Sequence, residues 1–287
     1  MKQLLILSGK GGTGKTTIAS AFIELYQAKL FADCDVDAPN LHLIMSMVSE
    51  PIETPFYGLS KFRIDPNRCI HCDECRLLCR FGAITQNTHL IIDPLACEGC
   101  GLCEAICPAG AIESFASISG DRMLYIEKDR RFSTAKLRMG NGNSGLLVTE
   151  VKNQLQDNLV DTPLAIIDGS PGIGCPVIAS MSGVDMVLIV TEPSLSGLSD
   201  LKRIVKTAAV FETKTAVCIN KADLADSLSE KIRSYCKANQ ISFVGSIPYD
   251  PMIVQALNHH QSVLAKDSTA ARAIKTVFSS TLKLLMT

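Results

Sequence analysis

The residues best suited to chemistry lie near the start of the chain, in a glycine-rich stretch that ends in lysine and threonine. Residues 9–16 read Gly-Lys-Gly-Gly-Thr-Gly-Lys-Thr and fit the phosphate-binding pattern G-x-x-x-x-G-K-[ST]. An apolar run precedes them at residues 4–7 and a helical pattern follows, so the strand, loop and helix that the motif requires are all expected. Backbone N–H groups of such a loop, together with the positive end of the helix, bind phosphate groups.

The polar side chains of this loop have expected ligands. Lys15 should reach the β- and γ-phosphates of a nucleotide, and the Thr16 hydroxyl should hold Mg²⁺. The residues expected to bind the nucleotide at this loop are Gly11, Gly12, Thr13, Gly14, Lys15, Thr16 and Thr17.

Two predicted strands end in acidic residues. Residues 29–32 are followed by Asp33 and Asp35, and the apolar run at residues 164–167 is followed by Asp168. Because the carboxyl ends of parallel strands face the ligand crevice of an open α/β sheet, these carboxylates should lie beside the phosphate loop. Asp168 then has the position of a Walker B acid, which holds Mg²⁺ directly or through water. We also expect the first two strands of the chain to be parallel neighbours in one right-handed βαβ unit.

Eight of the 12 cysteines form two runs with the same spacing, C-x2-C-x2-C-x3-C. The repeat extends beyond the cysteines, since residues 64–66 and 82–84 recur as residues 92–94 and 110–112, always at an offset of 28 residues. Each half is then one unit that cannot bury its apolar face alone. The cysteines of the first run are Cys69, Cys72, Cys75 and Cys79, and those of the second are Cys97, Cys100, Cys103 and Cys107.

This spacing resembles the two-cluster run of bacterial ferredoxins. The resemblance implies two [4Fe–4S] clusters, each bound by three cysteines of one run and the last cysteine of the other. Zinc is the alternative metal, although zinc sites normally use two separated C-x2-C pairs. Arg80 departs from the pattern, because proline is expected there as in Pro108, and His71 is interpreted as a surface residue. The implied ligand sets are Cys69, Cys72, Cys75 and Cys107 for one cluster, and Cys79, Cys97, Cys100 and Cys103 for the other.

The first motif also resembles the deviant phosphate loop of the MinD/ParA/nitrogenase-iron-protein superfamily, because Lys10 directly follows the first glycine. Residues 33–45 are similar to switch I of MinD-type ATPases, and residues 168–172 resemble their switch II. The resemblance implies that Lys10 reaches the nucleotide of the partner in an ATP-dependent homodimer. It further implies that Asp35 positions or activates the attacking water and that Asp33 lies near Mg²⁺. Asp37 is the competing candidate for the water.

A third motif bears on the base of the nucleotide. Residues 220–223 read Asn-Lys-Ala-Asp, which matches the N-K-x-D motif by which GTPases recognise guanine. In MinD-like ATPases the residue equivalent to Asn220 contacts adenine, and a segment similar to residues 243–250, with Pro248, lines the base pocket. Because the phosphate loop carries Lys10, the resemblance favours ATP over GTP.

Other patterns have a structural interpretation. Cys175 follows Asp168 by seven residues, the offset of a bridging-cluster cysteine in the nitrogenase iron protein, but we interpret it as a buried, inert cysteine. Residues 140–145 are interpreted as a loop and helix cap. The apolar stripe at residues 274–285 favours core packing over a membrane-binding helix such as MinD carries. The isolated cysteines Cys34, Cys218 and Cys236 are expected in the core.

Composition excludes several classes of protein. The net charge of −1 and the absence of tryptophan provide no case for binding nucleic acid or an anionic membrane. No apolar run reaches the roughly 18 residues of a transmembrane helix, and Lys10 interrupts the first apolar stretch too early for a signal peptide. Many cysteines without an export signal indicate metal binding in a reducing compartment, so we expect a cytoplasmic protein without stable membrane insertion.

These patterns together predict an α/β fold with a mostly parallel, doubly wound sheet and an inserted α+β ferredoxin domain. The predicted nucleotide domain is residues 1–58 and 117–287, with a hairpin near residues 123–139, and the insertion is residues 59–116. The chain resembles the MinD-superfamily P-loop ATPases that contain an inserted ferredoxin domain. The resemblance leaves three functions open. These are ATP-gated electron transfer to a redox partner, assembly or delivery of a metal cofactor to an apo-metalloprotein, and a redox-sensing positioning switch.

Overall fold

The computed structural model describes residues 1–45, 47–158, 160–259 and 261–287. The chain divides into two compact units. The first, called the nucleotide unit below, comprises Met1–Glu53, Met123–Ala135 and Ser144–Thr287. The second, called the cysteine unit, comprises Thr54–Arg122 and Lys136–Asn143, and it includes the predicted insertion at residues 59–116.

Strands and helices alternate through most of the nucleotide unit, whereas the cysteine unit has short elements. The strands are β1 (Lys2–Ser8), β2 (Leu30–Asp33), β3 (Ile52–Tyr57), β4 (Lys61–Ile64), β5 (Ile84–Gln86), β6 (Leu90–Ile92), β7 (Ile112–Phe115), β8 (Ile118–Glu127), β9 (Arg130–Leu137), β10 (Leu164–Pro171), β11 (Met186–Thr191), β12 (Lys214–Asn220) and β13 (Ser242–Ile247). The helices are α1 (Lys15–Tyr26), α2 (Leu41–Ile44), α3 (Glu74–Leu78), α4 (Leu102–Ile106), α5 (Ser144–Asp157), α6 (Cys175–Met181), α7 (Leu195–Val210), α8 (Asp226–Ala238), α9 (Pro251–Asn258) and α10 (Thr269–Met286).

Nine of these strands form one sheet in the order β13-β12-β11-β1-β10-β2-β9-β8-β3. Every pairing from β13 across to β9 is parallel, so the sheet is mostly parallel, as predicted. The central strands are apolar along their whole length because they are buried on both faces. The predicted hairpin is present as β8 and β9, joined by a two-residue turn at Lys128 and Asp129.

The expectation that β1 and β2 are neighbours is wrong. Strand β10 lies between them, with Ile166 in register with Leu4 on one side and with Phe31 on the other. A right-handed crossover requires that the two strands be parallel, but it does not require that they be adjacent. The apolar run of β10 is suited to the position between them because both of its faces are covered.

Helix α1 follows directly from the phosphate loop. It begins after Gly14, whose φ of 89° is in the left-handed region, and it buries Ile18 and Phe22 against the sheet. It ends at Gln27, which also has a left-handed conformation and whose N–H bonds to the carbonyls of Ile23 and Glu24. The loop and the start of the helix are therefore held by the sheet core.

Aromatic rings fill the core on the side of β2 and β9. Phe132 is fully buried and stacks on Phe31 at a centroid distance of 5.0 Å and on Tyr125 at 5.2 Å. The last helix, α10, buries Ile274 and Val277, so the C-terminal stripe packs in the core as predicted. Among the described residues, no helix combines the length and the apolar character needed to cross a bilayer.

The cysteine unit shows the internal repeat as structure. Helices α3 and α4 are 28 residues apart, and each two-stranded sheet takes one strand from each half, with β4 pairing with β7 and β5 with β6. The two halves therefore share one core, because neither can bury its apolar residues alone. The buried residues of this core include Phe62, Ala83, Ile84, Leu90, Ile92 and Ile112.

Phe132→Ala should lower the free energy of unfolding by about 3–5 kcal/mol, because it removes a fully buried ring and leaves a cavity between two others. Urea titration followed by far-ultraviolet circular dichroism measures the change. Val210→Ala is the control, since Val210 is 80% exposed and its truncation should change stability by less than about 0.5 kcal/mol. A Phe132→Ala chain as stable as the control would contradict this assignment of the core.

Candidate functional site

The phosphate loop connects β1 to α1 and opens into a cavity at the carboxyl edge of the sheet. Gly12 and Gly14 have positive φ angles of 79° and 89°, a conformation that side-chain-bearing residues rarely adopt. A Cβ atom at Gly14 would also collide with the Asn220 amide. The described residues lining the cavity are Ser8, Gly11, Gly12, Thr13, Gly14, Lys15, Thr16, Thr17, Asp35, Asp37, Ala38, Asn40, Ile44, Ser170, Pro171 and Leu257.

A buried ion pair lies at the centre of this site. The Lys15 ammonium is 2.7 Å from Oδ1 of Asp168, and the side chains are only 5% and 0% exposed. Burial by itself would lower the pKa of Lys15, but the charge and hydrogen bond of Asp168 outweigh it and the net shift is upward. Oδ2 of Asp168 is buried and has no hydrogen-bond partner among the described residues. A carboxylate oxygen of this kind is suited to accept from a water or to bind a hard cation such as Mg²⁺.

Asp33 holds the loop that follows β2. Its Oδ1 accepts the N–H of Asp35 at 2.9 Å, and its Oδ2 accepts the N–H groups of Asn40 at 3.1 Å and Leu41 at 3.0 Å. Burial, followed by the charge of Asp168, raises the pKa of Asp33 to about 7. The carboxylate therefore shapes the loop, since both of its oxygens are engaged by backbone donors.

Both candidates for positioning a water lie on that loop. Asp35 and Asp37 line the same cavity as the phosphate loop. Burial raises the pKa of the Asp35 carboxyl, with the charge of Lys15 opposing the shift. Because both residues line the cavity, both stay candidates for positioning the attacking water.

Asn220 and Lys221 contact the phosphate loop directly. The Asn220 amide donates to the carbonyl of Thr13 at 2.7 Å, and the Lys221 ammonium donates to the carbonyl of Gly12 at 3.0 Å. Beside them lies a largely apolar cavity whose described lining includes Asn220, Lys221, Ile247, Pro248, Tyr249, Ile253, Val254, Leu257 and Ile274. The cavity adjoins the phosphate loop, since Gly12 and Gly14 also line it.

Asp223 has a different environment. It is not among the described residues that line this cavity, and its Oδ1 accepts the N–H of Tyr249 at 2.6 Å. One oxygen of the carboxylate thus fixes the segment that carries Pro248. The N-K-x-D motif is therefore present with its asparagine and lysine against the loop and its aspartate turned to the backbone.

Lys10 forms an ion pair within the chain with Glu192, a residue to which the sequence analysis assigned no role. Its ammonium lies 3.1 Å from Oε2 of Glu192 and 3.5 Å from the hydroxyl of Ser196. The other oxygen of Glu192 accepts from Lys221 at 2.6 Å. Burial opposes ionisation of Glu192, but the two lysines overcome it and lower its pKa. The signal in the sequence is that Glu192 directly follows β11, the parallel neighbour of β1.

The eight cysteines of the two runs line two cavities in the cysteine unit. Burial raises the pKa of Cys75, and the charges of Cys69, Cys72 and Cys107 raise it further. The first cavity is lined by Cys69, Cys72, Cys75 and Cys107. The second is lined by Cys79, Cys97, Cys100 and Cys103, and Cys75 lines it as well. Within the described residues no three His, Cys, Asp or Glu side chains converge on the position of a single metal ion.

The expectation that Cys175 is buried is wrong, because it is exposed at the first position of α6. Helix α6 packs closely on the start of α5, where a Cβ atom at Gly145 would lie 3.2 Å from Cβ of Cys175. The buried Lys152 ammonium binds the other end of α6 through the carbonyl of Ser180 at 2.9 Å. Cys175 thus lies beside the start of α5 and still remains exposed. The cysteines expected in the core, Cys34, Cys218 and Cys236, are buried.

A phosphate loop that opens a helix, in a mostly parallel sheet with an acid on the adjacent strand end, defines a P-loop nucleotide-binding protein. The model of the CobQ/CobB/MinD/ParA nucleotide-binding domain matches residues 4–263. The chain belongs to this family.

Relatives and solved structures resemble the chain over most of its length. Two uncharacterised proteins of Methanocaldococcus jannaschii are similar. One is 34% identical, covering 76% of this chain and 78% of the relative, and the other is 29% identical, covering 92% and 93%. The septum site-determining protein MinD of Pyrococcus horikoshii, complexed with Mg-ADP, has a TM-score of 0.59 at 16% identity, covering 99% of this chain and 96% of that one. The McdA–ATP complex of Cyanothece has a TM-score of 0.58 at 18% identity, again covering 99% and 96%. At such identities the structures show a shared fold.

Cysteine burial predicts selective alkylation. Burial raises the pKa of Cys34 and of Cys218 to about 12, so at pH 8 only about one in 10⁴ of these thiols would be ionised. Iodoacetamide should therefore label exposed Cys175 in the native chain and leave Cys34 and Cys218 unmodified, as measured by peptide mass spectrometry. In guanidinium chloride all three should react. Labelling of Cys34 as fast as Cys175 in the native chain would contradict the described burial.

Proposed function

We propose that this chain is an ATP-hydrolysing iron–sulfur protein, in which a nucleotide-switched homodimer couples ATP turnover to electron transfer through two [4Fe–4S] clusters. One observation carries the proposal. The same chain contains a P-loop site with a buried carboxylate suited to Mg²⁺ and eight cysteines that line two cavities, with Cys75 lining both. The redox partner is a separate protein that donates or accepts single electrons.

The arrangement of the cysteines supports clusters over zinc. A zinc ion needs four ligands at about 2.0–2.3 Å from one point. Here the thiols line cavities. The first is lined by Cys69, Cys72 and Cys75 with Cys107 of the other run, and the second by Cys97, Cys100 and Cys103 with Cys79 of the other run, besides Cys75. That combination is the ligand set of two-cluster ferredoxins. When bound, the clusters would supply storage and transfer of single electrons. Binding requires loss of the thiol protons, including that of Cys103, whose pKa burial raises to about 11.

The geometry around the base pocket supports ATP. A guanine-reading aspartate must present its carboxylate to the base, but Asp223 bonds to the Tyr249 N–H and lies outside the described lining. Asn220 lines the pocket, and its amide nitrogen donates to Thr13, so its amide oxygen can accept from the exocyclic amino group of adenine. Pro248 forms part of the apolar wall beside it.

In the proposed reaction, backbone N–H groups of the loop bind the phosphates, and Lys15 exchanges its contact with Asp168 for the β- and γ-phosphates. Mg²⁺ would be held by the Thr16 hydroxyl and by Asp168, whose Oδ2 lacks a protein partner, and Asp33 would support it from the adjacent strand. Asp35, or Asp37 on the same loop, would orient the attacking water.

Dimerisation is proposed from Lys10. Within one chain its ammonium is neutralised by Glu192, at the surface beside the phosphate loop. We propose that ATP brings two such surfaces together and that Lys10 then leaves Glu192 for the γ-phosphate of the partner's nucleotide. Glu192 keeps a cationic partner in that arrangement, because Lys221 holds its other oxygen.

Lys15→Ala tests the coupling. It should reduce ATP hydrolysis by about 10²–10³-fold, because it removes the charge that stabilises the transferred phosphate. It should also abolish ATP-dependent oxidation of the reduced chain by its partner, while the iron and sulfide content stays that of wild type, since the cysteines lie in the other unit. Lys2→Ala, at an exposed lysine of the nucleotide unit, is the control. Normal turnover would contradict the P-loop assignment, and a wild-type chain that binds no iron after anaerobic reconstitution would contradict the cluster assignment.

Lys10→Ala tests the dimer. Nucleotide binding to the single chain should be unchanged, whereas hydrolysis should fall by about 10²-fold or more because the trans cation is lost. The diagnostic measurement is the rate per chain against protein concentration, which should rise with concentration for wild type and stay flat for the variant. Lys29→Ala, an exposed lysine paired with Asp129, should behave as wild type. Normal, concentration-dependent hydrolysis by Lys10→Ala would exclude the trans role.

A second candidate is a positioning ATPase with a redox sensor, because solved structures of this fold include a septum site-determining protein and a plasmid partition protein. ATP-dependent localisation in cells that survives Cys69→Ser and Cys97→Ser would favour it. A cofactor-assembly role would instead show as cluster transfer to an apo-protein, with loss of iron from this chain.

A further inference from the structure

The two cysteine cavities are built from equivalent halves, but the charges around them differ. At the repeat offset of 28 residues, Lys61 of the first half corresponds to His89 of the second, and Arg80 corresponds to Pro108. Arg80 lines the second cavity, the one lined by Cys79, Cys97, Cys100 and Cys103, and Lys61 donates to the backbone of Cys97 behind it.

Lys61 is a buried cation. Its side chain is 4% exposed on β4, and its ammonium donates to the carbonyl oxygen of Cys97 at 2.6 Å. In the described part of the chain, no carboxylate is among its hydrogen-bond or ion-pair partners. The segment before it packs tightly on the same cysteine loop, since a Cβ atom at Gly99 would lie 2.7 Å from the Ser60 carbonyl oxygen. The positive charge is therefore fixed beside the backbone of a proposed cluster ligand.

Arg80 adds a second cation at the same cavity. It directly follows Cys79, lines the cavity and is exposed, and the described residues provide it with no ion pair. The opposing charge is Glu98, which also lines the cavity and is exposed. Because Arg80 and Glu98 both face solvent, water screens both of their charges, whereas the charge of the buried Lys61 is screened least.

The first cavity has the opposite balance. Its lining includes the carboxylates of Asp73 and Glu74. Arg76 pairs with Asp73, so the two charges neutralise each other, and Arg68 pairs with Glu113 at 2.9 Å. Among the described residues, Glu74 is therefore the charge of the lining that has no ion-pair partner. No buried lysine equivalent to Lys61 is present, because His89 is exposed.

We propose that Lys61, assisted by Arg80, makes the cluster at the second cavity the more easily reduced of the two, so that an electron entering the cysteine unit comes to rest there. The proposal rests on the proposed function, since it requires both clusters. An added electron is stabilised by a nearby positive charge, most strongly where solvent is excluded, and the net charge near a cluster is one determinant of its reduction potential. In the transfer, the first cluster loses one electron and the second gains it, without a change of bonds or protons. The electron itself comes from a one-electron donor.

The test is a redox titration of the full chain, reconstituted anaerobically with iron and sulfide and reduced stepwise with dithionite under electron paramagnetic resonance. Wild type should show two one-electron steps. In Lys61→Met the step at higher potential should move down, so that the reduced-to-oxidised ratio at a fixed potential falls about tenfold, equivalent to 59 mV. The other step should not move. Lys61→Arg, which keeps the charge, should resemble wild type, as should Lys136→Gln at an exposed cation that lines neither cavity.

Arg80→Gln is a second test of the inference, to be used if the Lys61→Met chain does not bind the iron of two clusters. Arg80 is exposed, so its replacement should leave folding intact and shift the same step downward by a smaller amount. Two clusters with coincident potentials, or variants that move the lower step or neither step, would overturn the inference and leave the proposed function standing. A wild-type chain without iron would overturn both.

Discussion

The buried ion pair between Lys15 and Asp168 is the interaction on which the nucleotide unit depends. Neither charge is tolerable at its position alone, because desolvating a single charge costs several kcal/mol and breaking such a pair by removing one partner costs about 3–5 kcal/mol. The pair also leaves Oδ2 of Asp168 without a donor. Lys15 is the first residue of α1 and Asp168 lies on β10, so the pair holds the end of the phosphate loop against β10. Replacing either residue therefore leaves the other as an unpaired buried charge.

The order of the strands makes this contact possible. Because β10 is inserted between β1 and β2, Asp168 lies in register with Ile6 on one side and with Asp33 on the other. The loops after these three strands therefore meet at one edge. The buried apolar residues on both faces of the sheet fix these strands, and the strands in turn fix the positions of Asp33 and Asp168.

Sequence reasoning succeeded where a motif carries its own geometry. The phosphate loop specifies the strand before it and the helix after it, and the apolar stripe at residues 274–285 specifies a packed helix. It failed where neighbours distant in the chain decide the outcome. The adjacency of β1 and β10 depends on which apolar run fills the centre of the sheet. The exposure of Cys175 depends on how α6 is held at Gly145 and Lys152, and the partner of Lys10 is Glu192, 182 residues further along the chain.

The internal repeat of the cysteine unit has a consequence for how such a module acquires polarity. A duplication by itself produces two like sites, and two like sites have no preferred direction between them. Here the halves share one core and one arrangement of helices, but their sequences differ at some positions. One of these is Lys61, which corresponds to His89 in the repeat and whose buried charge is little screened by solvent. Symmetry in such a module can therefore be broken by one interior side chain, while the backbone of both halves stays the same.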